Sequence, residues 1–267
     1  MFKKNEDLSL ISVIIPCRNE EKYIGKCLDS ISEQDYPKEK LEVLVVDGMS
    51  EDRTREIVKK YIEKYPFIKL LDNPDKFTPF ALNIGVENAQ GEIIVRMDAH
   101  AGYEKNYISK CVRYLNEYDA DNVGGVMKTL PQEKTFVAKA IALCLSHSFG
   151  VGSSQFRKGI DKPKWVDTVF GGCYKREVFE KIGLFNEKLI RGQDMEFNLR
   201  LKKAEGKILL HPEIFSYYYP KSNLMDFFLH NIKDGIWAIL PLKFVKIPLK
   251  LRHYIPLIFV LTLPLSV

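Results

Sequence analysis

The chain has 267 residues, 46% hydrophobic and 28% charged, with 40 Lys and Arg against 35 Asp and Glu. That length and apolar content suit one large α/β domain, alone or with an appendage, and exclude general disorder. The formal net charge of +5 is modest and comes without a long block of consecutive basic residues, which excludes a nucleic-acid-binding arm.

The first apolar run, residues 8–16, is too short for a signal peptide and lacks a small-residue cleavage site, so it is expected as a core strand. Residues 20–34 then set Ile24, Leu28 and Ile31 at helical spacing. "LEVLVVD" is a second buried strand ending in Asp47, and Ser50 is the candidate N-cap of the amphipathic helix that follows. "FIKLLD" reads as a third strand, "TPFALNIGVENAQ" as a helix with Pro79 in its first turn, and "EIIVRMD" as a fourth strand closing at Asp98. Strand and helix alternating in this way predict a mostly parallel sheet flanked by helices. Ligands in such sheets bind at the carboxyl ends of the strands, where Pro16, Asp47 and Asp98 fall.

After Asn122 the rhythm loosens. "DNVGGVMKT" is expected as a strand and residues 136–148 as a helix. Residues 149–165, rich in Gly, Ser and Lys, are expected as a long loop and candidate lid. Residues 175–182 read as a helix, and residues 193–206 as another closed by a Gly C-cap. From Asn223 onward aromatic and aliphatic residues interleave with Lys between Pro241, Pro248 and Pro256, the pattern of interfacial amphipathic helices. The end of the chain, "YIPLIFVLTLPLSV", is almost wholly apolar but shorter than the roughly 20 residues that span a bilayer. The expected division is a catalytic domain over 1–222 and an amphipathic membrane-proximal segment over 223–267, whose apolar end either packs on the fold, lies in an interface or begins a transmembrane span. Five scattered cysteines without a CxxC pair argue against a zinc knuckle or a disulfide framework and for a reducing compartment.

Three acidic motifs carry potential chemistry, and each has a plain structural reading. Asp47 in "VVDGMSEDRT" taken alone is an ordinary turn former. Asp98 and His100 in "VRMDAH" share a ligand if the chain turns tightly after the strand, and carboxylate plus imidazole suits Mn²⁺. Alternatively, His100 merely solvates the turn. Asp194 and Glu196 in "RGQDMEFNLRL" sit at a helix start, where acids complement the helix dipole. Residues two apart do not share a helix face, and Glu196 has Arg200 at i+4 as a partner. No GxGxxG follows the first strand, and neither a P-loop nor a GxSxG elbow occurs.

In order, "SVIIPCRNEEKYIGKCLDSI", "EVLVVDGMSEDRT", "ALNIGVENAQGEIIVRMDAH", "VFGGCYKREVFEKIGLFNEKL" and "GQDMEFNLRL" resemble the family 2 glycosyltransferases with a GT-A fold. The nearest likeness is to membrane-associated enzymes of the succinoglycan and exopolysaccharide type, over residues 10–219. The resemblance implies an inverting transfer from a nucleotide-sugar donor, with UDP favoured, to a lipid-linked or polysaccharide acceptor. It implies that Pro16, Arg18 and Glu20 cradle the nucleoside, that Asp47 accepts from the uracil ring and that Asn83 faces the nucleotide. "DAH" stands where the family usually has Asp-x-Asp. Asp98 and His100 are then expected to hold a diphosphate-bound divalent cation, Mn²⁺ or Mg²⁺, with imidazole in place of the second acid. Gly171, Gly172 and Gln193 are expected on the acceptor side, and Asp194 as the catalytic base. A nucleotidyltransferase on a similar fold and a non-catalytic membrane-docked binding module are the competing readings. The expected location is the cytoplasmic face of the cell membrane.

Overall fold

Strands buried on both faces read as unbroken apolar runs, and the centre of this fold is built from three of them. In the computed structural model, which describes residues 8–147, 154–220, 222–237 and 241–244, β1 (Ile11–Cys17) pairs in parallel with β2 (Leu41–Asp47) and β4 (Ile93–Arg96). The edge strand β3 (Ile68–Asp72) extends the parallel set beyond β2. Between these strands run α1 (Ile24–Ser32), α2 (Thr54–Lys64) and α3 (Thr78–Asn88). Side chains alternate across the sheet. Val13, Ile15, Val43, Val45 and Val95 pack with Leu28 and Ile31 of α1, whereas Ile14, Leu44, Val46 and Ile94 pack with Ala81, Leu82 and Val86 of α3.

The second half mixes directions. It contains β5 (Ala101–Tyr103), α4 (Tyr107–Glu117), β6 (Asn122–Thr129), α5 (Phe136–Cys144), α6 (Gln155–Lys158), β7 (Lys164–Trp165), β8 (Cys173–Lys175), α7 (Glu177–Ile182), α8 (Gln193–Lys203) and β9 (Ile208–Tyr218). β8 runs antiparallel between β4 and β6, β6 pairs in parallel with β9, and β5 and β7 lie antiparallel to β9. The sheet order is β3-β2-β1-β4-β8-β6-β9-β5. The longest registers are parallel, as the sequence predicts, and the short additions are antiparallel. Then come α9 (Leu224–Trp237) and α10 (Pro241–Phe244). Among the described residues no helix is long and apolar enough to cross a membrane. The apolar chain end, residues 254–267, lies outside the described residues.

Several local expectations are corrected. Ser50 does not cap α2, which begins at Thr54; the Ser50 amide and hydroxyl both donate to the Asp47 carboxylate instead. α8 ends not on a left-handed glycine but on Glu205 with φ 63°, after which the Gly206 N–H returns to the Leu201 carbonyl at 2.8 Å. Gly206 is needed for proximity, since a Cβ there would sit 2.3 Å from Leu201 Cδ1. β4 stops at Arg96, so Asp98 lies in the loop beyond it. Within the expected 149–165 loop, the described part carries α6 and β7. The Glu196–Arg200 pairing is as expected: Glu196 is buried and accepts from Arg200 at 2.7 and 3.0 Å.

The β6–β9 pairing shifts register between Gly125 and Val126, where β9 bulges through Pro212. A Cβ on Gly125 would lie 2.1 Å from the Ile214 carbonyl oxygen. By contrast, one on Gly25 in α1 would meet its nearest atoms at 3.7 Å. Gly125→Ala is therefore expected to destabilise by about 3 kcal/mol, as overpacking against backbone does. Gly25→Ala is expected to stabilise by up to about 1 kcal/mol, the helix propensity gain. Urea unfolding midpoints of the two variants test the contrast.

Candidate functional site

A cleft of about 660 Å³ opens where the carboxyl ends of β1 and β4 face the N-terminus of α8. The size suits a small-molecule ligand, for which about 300–1,000 Å³ is usual. One wall is the β1 end, with Pro16, Cys17, Arg18 and Glu20. The segment from Asn73 to Thr78 closes one end, and the stretch from Thr168 to Gly171 crosses the floor. Five permanently cationic side chains (Arg18, Lys76, Arg96, Arg157 and Arg191) line it against three carboxylates (Glu20, Asp98 and Asp194). Such a surplus attracts an anionic ligand.

Asp98 is held firmly. Its N–H donates to the Tyr103 hydroxyl at 2.7 Å, and its carbonyl accepts from the Ala101 N–H at 3.1 Å. Arg96 Nε and Nη2 both donate to Asp98 Oδ1, at 3.2 and 3.1 Å. Burial alone would push the Asp98 carboxyl up, but Arg96 and His100 outweigh it and hold it below the usual carboxylate range. Burial alone would likewise pull the Arg96 guanidinium down, and Asp98 and Asp194 reverse that. His100 Nδ1 stands 3.3 Å from Glu20 Oε1, and its ring meets Tyr218 edge-on at 6.0 Å. Desolvation works against the His100 charge, but Glu20 and Asp98 together raise its pKa.

Across the cleft, Gly192 takes a left-handed φ of 75° and starts α8, which puts Gln193 and Asp194 in the first turn. The Met195 N–H donates to Asp194 Oδ1 at 2.9 Å. A helix N-terminus favours an ionised carboxylate there. Asp194 faces the cleft while Glu196 lies outside it, bound to Arg200.

Pro16, Arg18, Glu20, Asp98, His100, Gly171, Gln193 and Asp194 are thus brought together. Three expected residues are not. Asp47 is fully buried beneath the cleft, accepting from Arg55 Nη1 at 2.7 Å and from the Ser50 N–H at 3.0 Å. Arg55 continues to Asp72 at 2.8 Å, so Asp47 braces β2, α2 and β3. Asn83 donates to the Phe185 carbonyl and to Glu187 Oε1, both at 2.9 Å, and accepts from the Phe185 N–H. It ties α3 to the 185–187 turn and does not reach the cleft. Gly172 lies behind the lining, where its carbonyl accepts from the Arg96 N–H at 2.9 Å. The sequence reading passed over Lys76, Arg96, Arg157 and Arg191. Arg96 alone carried a signal, as a charge within the apolar run "EIIVRM".

The donor set bears on the expected cation. Among the described residues no group of three or more metal-ligating side chains gathers. Asp98 Oδ1 is taken by Arg96, which leaves Oδ2, and His100 Nδ1 faces Glu20, which leaves Nε2. One carboxylate and one imidazole fit an Mg²⁺- or Mn²⁺-type site only if ligand phosphates and water complete it.

Comparison with known proteins agrees with this geometry. The profile described as glycosyl transferase family 2 matches residues 12–183. The dolichyl N-acetyl-alpha-D-glucosaminyl phosphate 3-beta-D-2,3-diacetamido-2,3-dideoxy-beta-D-glucuronosyltransferase of Methanococcus voltae is 33% identical over 238 residues, covering 85% of this chain and 72% of its own. The succinoglycan biosynthesis protein ExoA of Rhizobium meliloti is 29% identical over 247 residues, covering 86% of this chain and 74% of its own. Among solved structures, the mannosyltransferase PcManGT of Pyrobaculum calidifontis, in complex with GDP-Man and Mn²⁺, superposes with a TM-score of 0.69 at 23% identity, covering 94% of this chain and 68% of that one. TarS of S. aureus in complex with UDP gives 0.59 at 21% identity, covering 86% of this chain and 65% of that one, so this chain spans about two thirds of its length. With the profile matching well over half of its residues, the chain belongs to glycosyltransferase family 2 and carries the GT-A fold.

Proposed function

We propose that the chain is an inverting glycosyltransferase that moves a sugar from a nucleoside-diphosphate donor, UDP-linked by preference, to a lipid-linked or polysaccharide acceptor. The observation that carries this reading is that Asp98 and Asp194 line the same cation-rich cleft. Arg18, Lys76 and the arginines of the wall suit the diphosphate by charge. Asp98 Oδ2 and His100 Nε2 are the groups that would hold a divalent cation with it. Bound there, Mn²⁺ or Mg²⁺ supplies Lewis-acid stabilisation of the negative charge that develops on the leaving diphosphate.

The remaining chemistry belongs to the protein. The Asp194 carboxylate accepts the proton of the acceptor hydroxyl as its oxygen attacks the anomeric carbon. The bond from that carbon to the diphosphate breaks, its electron pair stays on the diphosphate oxygen, and attack from the opposite face inverts the configuration. Phe156, Phe170 and Ile190 give the cleft an apolar lining that disfavours water, which competes as the acceptor. A screen of nucleotide sugars for nucleoside-diphosphate release, with Mn²⁺ and Mg²⁺ compared, tests the reaction. Pyrophosphate release would instead assign a nucleotidyltransferase, and no turnover with any lipid acceptor would leave a binding module. Asp194→Asn keeps the shape and removes the basicity, so kcat is expected to fall by about 10²–10⁴. Donor affinity should stay near wild type in the same variant, and Glu196→Gln should retain most of the turnover. Asp194→Asn with near-wild-type kcat would remove Asp194 from the reaction.

The same reading places the protein at the cytoplasmic face of the membrane. Leu224, Met225, Phe228, Leu229 and Ile232 form an exposed apolar row along α9, and Phe136 and Leu143 of the adjacent α5 are exposed as well. Trp237 on α9 lines the cleft, which relates that row to the acceptor's entry. Beyond α9 the sequence carries Lys243, Lys246, Lys250 and Arg252 before its apolar end. Each basic residue near an anionic surface is worth about 1 kcal/mol. In flotation with phosphatidylglycerol-rich vesicles the wild type should rise with the lipid, and the double variant Phe228→Glu, Ile232→Glu should remain largely behind. Equal flotation of the two would reject this surface.

A further inference from the structure

Two amide side chains lie inside the second half of the fold, where apolar groups would otherwise pack. Asn122 opens β6 and Asn198 sits in the second turn of α8, and both are fully buried. Their chain neighbours Val123 and Phe197 belong to the core. A buried amide costs free energy unless it is hydrogen-bonded. Asn122 Nδ2 donates to Asn198 Oδ1 at 3.0 Å, and Asn198 Nδ2 donates to Thr168 Oγ1 at 2.9 Å. Asn122 Oδ1 is left without a partner among the described residues, so the pair does not close on itself. The row of donors runs from the core to the cleft, where Thr168 lines the floor.

The direction of that row sets what Thr168 can do. Asn198 occupies a lone pair of its oxygen, so its O–H must donate elsewhere. The Val169 carbonyl stands 3.5 Å away, outside the range of about 2.5–3.0 Å in which an O–H···O bond is well formed. The hydroxyl proton therefore turns to the open side. Amides in a row also polarise one another, which strengthens the last donor. Asn198 follows Asp194 by four residues and lies one turn along the same side of α8, so Thr168 ends at the foot of Asp194. From there the floor runs to Gly171, which crosses the Arg96 carbonyl behind Asp98. On the donor reading above, the diphosphate lies toward Asp98 and the base is Asp194, so the group over this floor is the sugar in transit. We propose that Thr168 is a specificity-determining residue that donates a hydrogen bond to an oxygen of the transferred sugar, with Asn198 and Asn122 as positioning residues that keep its hydroxyl turned outward.

The test separates sugar from nucleotide. UDP, UDP-glucose, UDP-N-acetylglucosamine, GDP and GDP-mannose are titrated calorimetrically, in buffer containing Mn²⁺, into wild type, Thr168→Val, Thr168→Ser and Asn198→Asp. Val keeps the shape of Thr and removes the hydroxyl. Thr168→Val should bind the free nucleotides as wild type does and at least one nucleotide sugar about 3–10-fold more weakly, the worth of one neutral hydrogen bond. Thr168→Ser keeps the donor and should keep the wild-type affinities. Asn198→Asp turns acceptor oxygens toward Thr168, draws its hydroxyl inward and should reproduce the Thr168→Val pattern. If Asn198→Asp loses its fold by circular dichroism, Asn198→Ala, which withdraws the amide, is read in its place with the same expectation. Equal weakening of nucleotide and nucleotide sugar in Thr168→Val overturns the contact. So does a Thr168→Ser variant as weak as Thr168→Val, which would mean that Thr168 serves by its methyl group. An Asn198 variant with wild-type affinities overturns the positioning role. Wild type that binds neither nucleotide would overturn the donor reading and this contact with it. Nucleotide binding in wild type, with every nucleotide sugar unaffected by Thr168→Val, would overturn the contact alone.

Discussion

The close crossing of two backbones at the end of β4 determines how the site is assembled. The stretch leading into β8 passes over Arg96 so tightly that a Cβ on Gly171 would lie 2.9 Å from the Arg96 carbonyl oxygen. Gly171 and Gly172 both take positive φ, 68° and 108°, and a Cβ on Gly172 would fall 2.5 Å from the Tyr174 ring. Only residues without a side chain allow this approach. The crossing joins the parallel half of the sheet to the mixed half. It is the reason that Asp98, from the first half, and Asp194, from the second, look into the same space.

Charge is handled differently at each acidic residue near that space. Asp47 and Glu196 are buried with arginines and fasten elements together. Asp194 stands at a helix start, where the helix supplies a favourable field for the carboxylate. Asp98 is intermediate, with one oxygen paired and one open. Four acids of similar sequence character thus fall into three physical situations: buried against an arginine, paired through one oxygen, or set at a helix start.

That distinction limits what the sequence could disclose. The strands β1, β2 and β4 and the helices between them were legible because burial on one or two faces leaves a periodic apolar pattern. The strands β5, β7 and β8, of two or three residues, are too short to leave one. In β9, Pro212 and the bulge hide a long strand behind what looks like a break. Asp194 and Glu196 could be told apart in advance because a helix fixes which residue meets Arg200. Asp47 and Asn83 could not be, because their partners, Arg55 with Ser50 and the 185–187 turn, are chosen by tertiary packing that no local pattern records. Motif likeness picked out residues of which most line one cleft, and left open which polar atoms remain unengaged there.

The locking of Asp47 has a consequence for how such a protein can change over generations. A carboxylate that both read the nucleotide base and braced the sheet would tie donor choice to folding, so that any change of donor would risk the fold. Here the brace is sealed beneath the cleft. The residues at that end which line the cleft, Lys76, Phe77 and Thr78, sit in a connection between β3 and α3, with Lys76 and Phe77 largely outside the core. On the proposed reading, donor preference is then open to drift by exchange within a short loop, while the brace beneath it stays under selection for stability alone.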